Sequence, residues 1–320
     1  MKFSKTLALA GLMMGLLPAV AAAADSYPSK PITIIVPYSP GGTTDVMTRA
    51  LASSLGRQLN QSVVVQNKPG AAGAMGVIQM KSTKPDGYTL TMVPVGVFRE
   101  PYLQKVPYDP IGDLTYIASV LTYDFAVTVK ADSPFKTMQE LVEYAKKHPG
   151  EIDYSTPGKF TGNQVVLAAL GKQQGTHFTH VPYKGDSDAI VGLVGGHVKA
   201  AVITNSVLPH IKSGAVRVLA TADEARNPFF PGVPTLKELG YDVVVPSPLG
   251  IAGPAGLPAA IVQKLDQAVK AALEETEVKR AAENFGVRMF YLDHDAYTAF
   301  AKKDFAAEKN LVSDLGLEAP

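Results

Sequence analysis

Residues 31–37 (PITIIVP) form a short, continuous apolar and β-branched run, followed at once by a Gly-rich turn and an amphipathic stretch. A strand without polar alternation is covered on both faces, as in a sheet flanked by helices. The pattern then repeats. Val46, Leu51, Leu55 and Leu59 stand near helical spacing. Residues 62–66 are a second β-branched run, residues 67–70 (NKPG) a turn, and residues 71–80 read as a helix. Pro85-Asp86-Gly87 marks another turn and residues 88–93 a third strand. The order βαβαβ predicts a parallel, doubly wound sheet with right-handed crossovers.

A second α/β series begins near residue 120. Strands are expected at 125–129, 152–155, 178–181, 200–203 and 216–220, with helices at 137–147, 162–173 and 188–194. Thr137 and Glu140 make a capping box for the first of these helices. The last 60 or so residues read as helical, and Ile261, Leu265, Val269 and Leu273 repeat at i+4 as a stripe that packs on a sheet. There is no internal repeat and no low-complexity linker. That favours two lobes joined by crossing strands over two separate domains in series.

Composition removes whole classes of function. Thirty Lys and Arg stand against 29 Asp and Glu, a net charge of +1, which leaves no footprint for nucleic acid. The absence of Cys excludes thiolate nucleophiles, Cys-bound zinc, iron–sulfur clusters and disulfides. Residues 1–24 read as a cleavable secretory signal: Lys2 and Lys5, a short apolar core from Leu7 to Leu17, Pro18, then Ala22-Ala23-Ala24 before Asp25. The apolar core is shorter than the roughly 20 residues of a membrane span. Its removal takes away two Lys and no acid, so the net charge moves from +1 to −1. An exported chain without thiols suits an oxidising periplasm.

In open α/β sheets, ligands sit beyond the carboxyl ends of strands. Three loops there have ligand-binding composition. The first is Ser39-Pro40-Gly41-Gly42-Thr43-Thr44-Asp45. Its paired glycines let the backbone turn sharply, and the free N–H groups of the following helix suit a carboxylate or phosphate. Thr43, Thr44 and Asp45 each serve either as a cap of that helix or as a ligand contact. The second is Pro69-Gly70-Ala71-Ala72-Gly73, and the third runs from Ser155 through Thr156, Lys159, Phe160, Thr161 and Gly162 to Asn163. Three helix N-termini converging on one anion need no basic patch. None of the loops matches a dinucleotide or nucleoside-triphosphate fingerprint, so no cofactor is expected. His177 and His180 lie three apart on an expected strand and face opposite sides, so no metal is expected there. No G-x-S-x-G or H-E-x-x-H motif is present, and no carboxylate pair is marked as an acid/base couple.

In order and spacing, the blocks YPSKPITIIVPYSPGGTTDVMTR (27–49), VVVQNKPGAAGAMG (63–76), PDGYTL (85–90), VPYDP (106–110), HVPYKG (180–185), LVGGHVKA (193–200), LPHIKSG (208–214) and GPAGLPAAIVQKL (253–265) cover almost the whole mature chain. Together they resemble the tripartite tricarboxylate transporter substrate-binding proteins, the TctC or Bug family of periplasmic receptors. The resemblance implies a periplasmic binding protein of type II, two α/β lobes around a cleft that closes on its ligand. Lobe 1 is expected at 25–123 plus 246–320 and lobe 2 at 124–245, with hinge strands near Tyr123 and Val245. The loops after Val36 and Asn67 would hold one carboxylate through backbone N–H groups and bridging water. Ser39, Thr43, Thr44, Asp45, Gly70, Ala71 and Ala72 then belong to the first lobe's site, and Thr156, Lys159, Phe160, Thr161 and Asn163 to the second's.

Two segments depart from the family pattern. Thr204-Asn205-Ser206 stands where an Asp-Asn pair is common, so Asn205 is expected as a ligand contact and the missing acid argues against an amino group on the ligand. Gly96 to Tyr102 replaces small polar residues and His. There Phe98 either stacks on an apolar or aromatic ligand or fills the lobe core. Arg99 either pairs a second carboxylate or forms an ion pair with Glu100 or meets the surface. The expected protein is a monomeric receptor without catalysis. It takes a small organic acid, a dicarboxylate or aromatic carboxylate, and presents it to a membrane permease or a sensor. The rivals are an exported hydrolase or isomerase using Asp45, and a regulator's effector domain, which no helix-turn-helix precedes.

Overall fold

The computed structural model describes residues 27–316. The expected signal at residues 1–24 lies outside the described residues. The apolar run at 31–37 forms β1 (Ile32–Val36), an interior strand of its sheet. Its unbroken apolar character has a direct reason. Ile34 and Val36 enter one hydrophobic cluster, while Ile35 faces the other way into a second. The chain continues through α1 (Thr43–Leu59), β2 (Val63–Asn67), α2 (Met75–Met80), β3 (Thr89–Val93), α3 (Gly96–Arg99) and β4 (Leu114–Tyr123). β2 and β3 flank β1 in parallel, with Ile34 opposite both Val65 and Leu90.

The second sheet takes β5 (Ala126–Lys130), α4 (Met138–Lys147), β6 (Asp153–Thr156), α5 (Gly162–Gln174), β7 (Thr179–Pro182), α6 (Asp186–Val194), β8 (Ala200–Ile203), α7 (Leu208–Lys212) and β9 (Val216–Thr221). The capping box of Thr137 and Glu140 is formed at the start of α4. The chain then returns as β10 (Ser247–Pro254), α8 (Ala259–Leu273), α9 (Thr276–Phe285), β11 (Arg288–Leu292) and α10 (His294–Leu315). Val262, Leu265, Val269 and Leu273 are the buried stripe of α8, which packs on α1 and β4. Among the described residues no helix is long and apolar enough to cross a membrane.

The sheet orders are β11-β4-β10-β3-β1-β2 and β7-β6-β8-β5-β9. Both sheets are mixed, whereas the βαβαβ order predicts parallel ones. The long strands β4 and β10 carry the chain between the sheets in opposite senses, so they pair antiparallel, Tyr123 facing Ser247. β10 in turn runs antiparallel to β3, and β5 antiparallel to β8 and β9.

Two expected helices are interrupted. Residues 71–80 begin as a tight turn at Ala71–Gly73 before α2. Gly70, Ala71, Ala72 and Gly73 all have positive φ, from 43° to 130°, which no helix tolerates. The helical C-terminal stretch is cut by β11. Gly286 ends α9 in the left-handed conformation at φ 66°, and the β-favouring RMFYL that follows pairs with β4.

Candidate functional site

Where the sheets meet, the loop before α1 lies against the start of α6. Gly41 has φ 86°, and a Cβ at Gly185 would stand 3.0 Å from the Ser39 nitrogen, so glycine on both sides permits this approach. The seam is hydrogen-bonded. Ser39 N donates to the Lys184 carbonyl at 3.1 Å, and Ser39 Oγ to Asp188 at 2.7 Å. Ser187 Oγ donates to the Pro40 carbonyl at 2.9 Å, and the Thr43 and Thr204 hydroxyls meet at 2.7 Å.

An inner cavity of about 20 Å³, room for one water-sized group, lies in this seam. Tyr38, Gly42, Thr44, Asp45, Tyr123, Pro157, Asn163, Asp186 and Thr204 line it, with no Lys, Arg or His among them. The first turns of α1, α5 and α6 all reach it, through Thr44 and Asp45, Asn163, and Asp186. A helix N-terminus presents free N–H groups and partial positive charge. An outer chamber of about 840 Å³ shares Tyr38 and Pro157 with it. Gly70, Ala71, Ala72, Lys159, Phe160, Lys184 and His197 stand on its wall. Ala71, Ala72 and Phe160 are non-glycine residues held at φ 43°, 51° and 58°, strain that collects at ligand sites.

A family model described as the tripartite tricarboxylate transporter family receptor matches residues 47–317. The chain belongs to this receptor family. A Cupriavidus necator relative named UPF0065 protein in gbd 5'region is 41% identical over 310 residues, covering 97% of this chain and 94% of its own. Protein BugT of Bordetella pertussis is 34% identical over 291 residues, 88% of each chain. The structure of the periplasmic binding protein BugD superposes with a TM-score of 0.87 at 29% identity, covering 91% of this chain and 99% of that one. The protein is accordingly a solute-binding protein of the TctC/Bug type, with the two-lobed fold of periplasmic binding proteins.

In this receptor the expected site residues fall into distinct places. Thr44, Asp45 and Asn163 line the inner cavity. Gly70, Ala71, Ala72, Lys159 and Phe160 line the outer chamber. Ser39 and Thr43 tie the lobes together. Thr156 and Thr161 brace the second-lobe loop, both hydroxyls donating to the Gly158 carbonyl at 2.8 and 3.0 Å. His180 also meets Thr156 Oγ1 at 2.6 Å; burial, and then Lys159, push its imidazole down to about 4, so it is neutral at pH 7.

Asp45 is 3% exposed and fully engaged. It accepts from the Gly41 N–H at 2.9 Å, from Asn67 Nδ2 at 2.8 Å and from Arg49 at 2.9 and 3.1 Å. Burial works to raise its carboxyl, but these bonds outweigh burial and hold it below the usual range. A carboxylate so occupied organises the loop and is a poor general base, which removes the support for a hydrolase or isomerase built on Asp45.

Three expectations are corrected. Phe98 does not reach a ligand: it is 1% exposed and packs against Tyr116 in the first-lobe core. Arg99 offers no free fork, because Nε and Nη2 hold Glu308 at 2.7 and 2.6 Å rather than Glu100. Asn205 lies behind the cleft, donating to Asp124 and to the Gly286 carbonyl, both at 2.8 Å. Each is drawn inward because a buried partner from a distant part of the chain satisfies it. Tyr38, Tyr123 and Asp186 were not expected in the site. Asp186 stands against Thr204, so the cleft does hold an acid at this place, supplied from α6. Its signal was present: like Asp45, it opens a helix just after a strand.

Proposed function

We propose that the protein captures a small organic acid between its lobes and presents it to a membrane permease or a sensor. The convergence of three helix N-termini on one interlobe cavity carries this reading. Such a cavity meets an anion with oriented N–H groups where no basic side chain stands. The outer chamber gives room for the ligand body, a dicarboxylate or aromatic carboxylate, with Lys159 and Lys184 at its wall. The lobes part about the crossing strands, breaking the seam's hydrogen bonds, to admit the ligand and close on it. In this reading lobe 1 is residues 25–123 plus 246–320 and lobe 2 residues 124–245. Residues 1–24 direct export to the periplasm and are removed. The receptor acts as a monomer, without cofactor or turnover.

A thermal-shift screen of the mature protein against mono-, di- and tricarboxylates, aliphatic and aromatic, tests this, since a ligand of the folded state raises its stability by mass action. An upward shift with a carboxylate supports the reading, and no shift with any of them overturns it. Calorimetry on Asp45→Ala and Thr161→Ala then tests the site: both are expected to bind more weakly while remaining folded, and unchanged affinity in both rejects the assignment.

A further inference from the structure

We propose that Asp186 takes up a proton as the cleft accepts a carboxylate, so that ligand and proton are captured together and groups that cannot accept a hydrogen bond are excluded. This rests on the carboxylate-receptor reading above. Asp186 is 7% exposed and lines the inner cavity. Its partners are uncharged: the Thr204 hydroxyl, in a short contact, and the Thr204 N–H at 3.4 Å. The other titratable groups on that cavity are Asp45, already bound to Arg49, and the Tyr38 and Tyr123 phenols, which burial pushes far up. On α6 itself Asp188 is bound by Ser39, and Lys184, just before α6, stands on the outer chamber. No cation on the cavity wall offsets the Asp186 charge.

An anion brought into this desolvated space meets an ionised carboxylate without a counter-charge. Two carboxylates sharing such a site settle by one holding a proton. Protonated Asp186 then changes from repelling the ligand to donating a charge-assisted hydrogen bond to it, or an ordinary one to Thr204. Burial, against the opposing pull of the Thr204 and Ser206 hydrogen bonds, already lifts its carboxyl to about 6. The hydroxyl chain Asp186–Thr204–Thr43 crosses the seam, and each hydroxyl carries one proton. Thr204 Oγ1 faces two acceptors, Asp186 and Thr43, with its one proton, which an ionised Asp186 holds. With Asp186 protonated and donating to Thr204, that proton is released to Thr43 at the start of α1. The proton state of one lobe is thus felt in the ligand loop of the other.

Titration calorimetry of the mature wild-type protein with succinate, malate, adipate and benzoate, at pH 7 in phosphate and in Tris, counts the protons exchanged on binding. The expected result is uptake of close to one proton per carboxylate bound, and affinity falling about tenfold from pH 7 to pH 8. Asp186→Asn, which keeps the shape, is expected to bind without uptake and with a flat pH dependence. Binding to wild type without uptake, or uptake that persists in Asp186→Asn, overturns the proposal. Absence of binding by every carboxylate overturns the receptor reading itself and the proposal with it. The wild-type proton count stands even if the variant fails to fold.

Discussion

Arg99 of the first lobe donates through Nη1 to the Phe160 carbonyl of the second at 2.7 Å, behind the wall of the outer chamber that Phe160 lines. The guanidinium is aimed by Glu308 on α10, which holds its other two nitrogens. Both side chains are buried, so removing one partner strands the other's charge. Arg99→Met is expected to lower stability by about 3–5 kcal/mol, with Glu308→Gln in the same chain recovering part of the loss. Urea midpoints of the single and double variants check this. Additive losses would show that the pair does not form.

Asp304, on the same helix, makes stability depend on pH. Burial, and then the Glu308 charge, lift its carboxyl to about 7 from an ordinary 3.8, against the opposing pull of Arg99. A raised carboxyl favours the fold most below pH 4 and loses that contribution as pH rises toward 7. Wild-type stability should therefore fall across this window by up to about 1.4 kcal/mol per pH unit from this group, and Asp304→Asn should flatten the fall. Urea midpoints at pH 5 and pH 8 measure the difference. Equal slopes in both proteins reject it.

Gly76 lets α2 lie on the sheet. A Cβ there would stand 1.9 Å from Thr91 Oγ1. Gly76→Ala is expected to cost about 1–3 kcal/mol, and Thr91→Ala in the same chain to restore much of it. Denaturant melts of both variants decide this, and a harmless Gly76→Ala would mean that α2 sits farther from β3.

Ala72 holds φ 51° in the turn that walls the outer chamber. An L-residue there costs about 1–2 kcal/mol that glycine avoids, partly offset by the greater freedom of glycine in the unfolded chain. Ala72→Gly should raise stability by about 0.5–1 kcal/mol. A loss of stability would show that the turn relaxes in solution.

Asn205 separates structure from recognition. Its side chain accepts from Asp124 N at 3.1 Å and donates to Asp124 Oδ2 and the Gly286 carbonyl, all within the junction of the lobes. Asn205→Ala should cost about 1–3 kcal/mol of stability, because buried partners are left unsatisfied. Ligand affinity of the folded protein should stay within about twofold. A tenfold loss of affinity without a stability change would return Asn205 to the cleft wall.

The order from β1 to β3 and from β5 to β9, the capping box of α4 and the loops at strand ends were legible in the residues because they rest on local periodicity and turn chemistry, whereas β4 and β10 were expected only as hinge strands near Tyr123 and Val245 from the family resemblance. β11 was missed because its RMFYL run is short and lies between strong helical stretches. The antiparallel pairing of β4 and β10 follows from the chain crossing twice between sheets, a fact of topology that no local pattern carries. The candidate site divides in the same way. Thr44, Asp45 and Asn163 stand on the inner cavity and Gly70, Ala71, Ala72, Lys159 and Phe160 on the outer chamber, positions that the strand-end loops and the family resemblance together had singled out. Phe98 and Arg99 had the composition of ligand contacts, yet they are spent on Tyr116 and Glu308.

Local sequence thus determines which backbone segments offer free N–H groups, since a helix start leaves them open wherever the helix sits. It also determines the charge balance, which leaves an anion to be met by local design. Only the tertiary structure decides that the starts of α1, α5 and α6 share one cavity. It also decides that Asp186 faces that cavity without a cation, and that Glu308, more than 200 residues away, claims Arg99. Those outcomes depend on which distant groups burial brings together, and the burial of a charge is settled by partners that its own neighbours in sequence do not reveal.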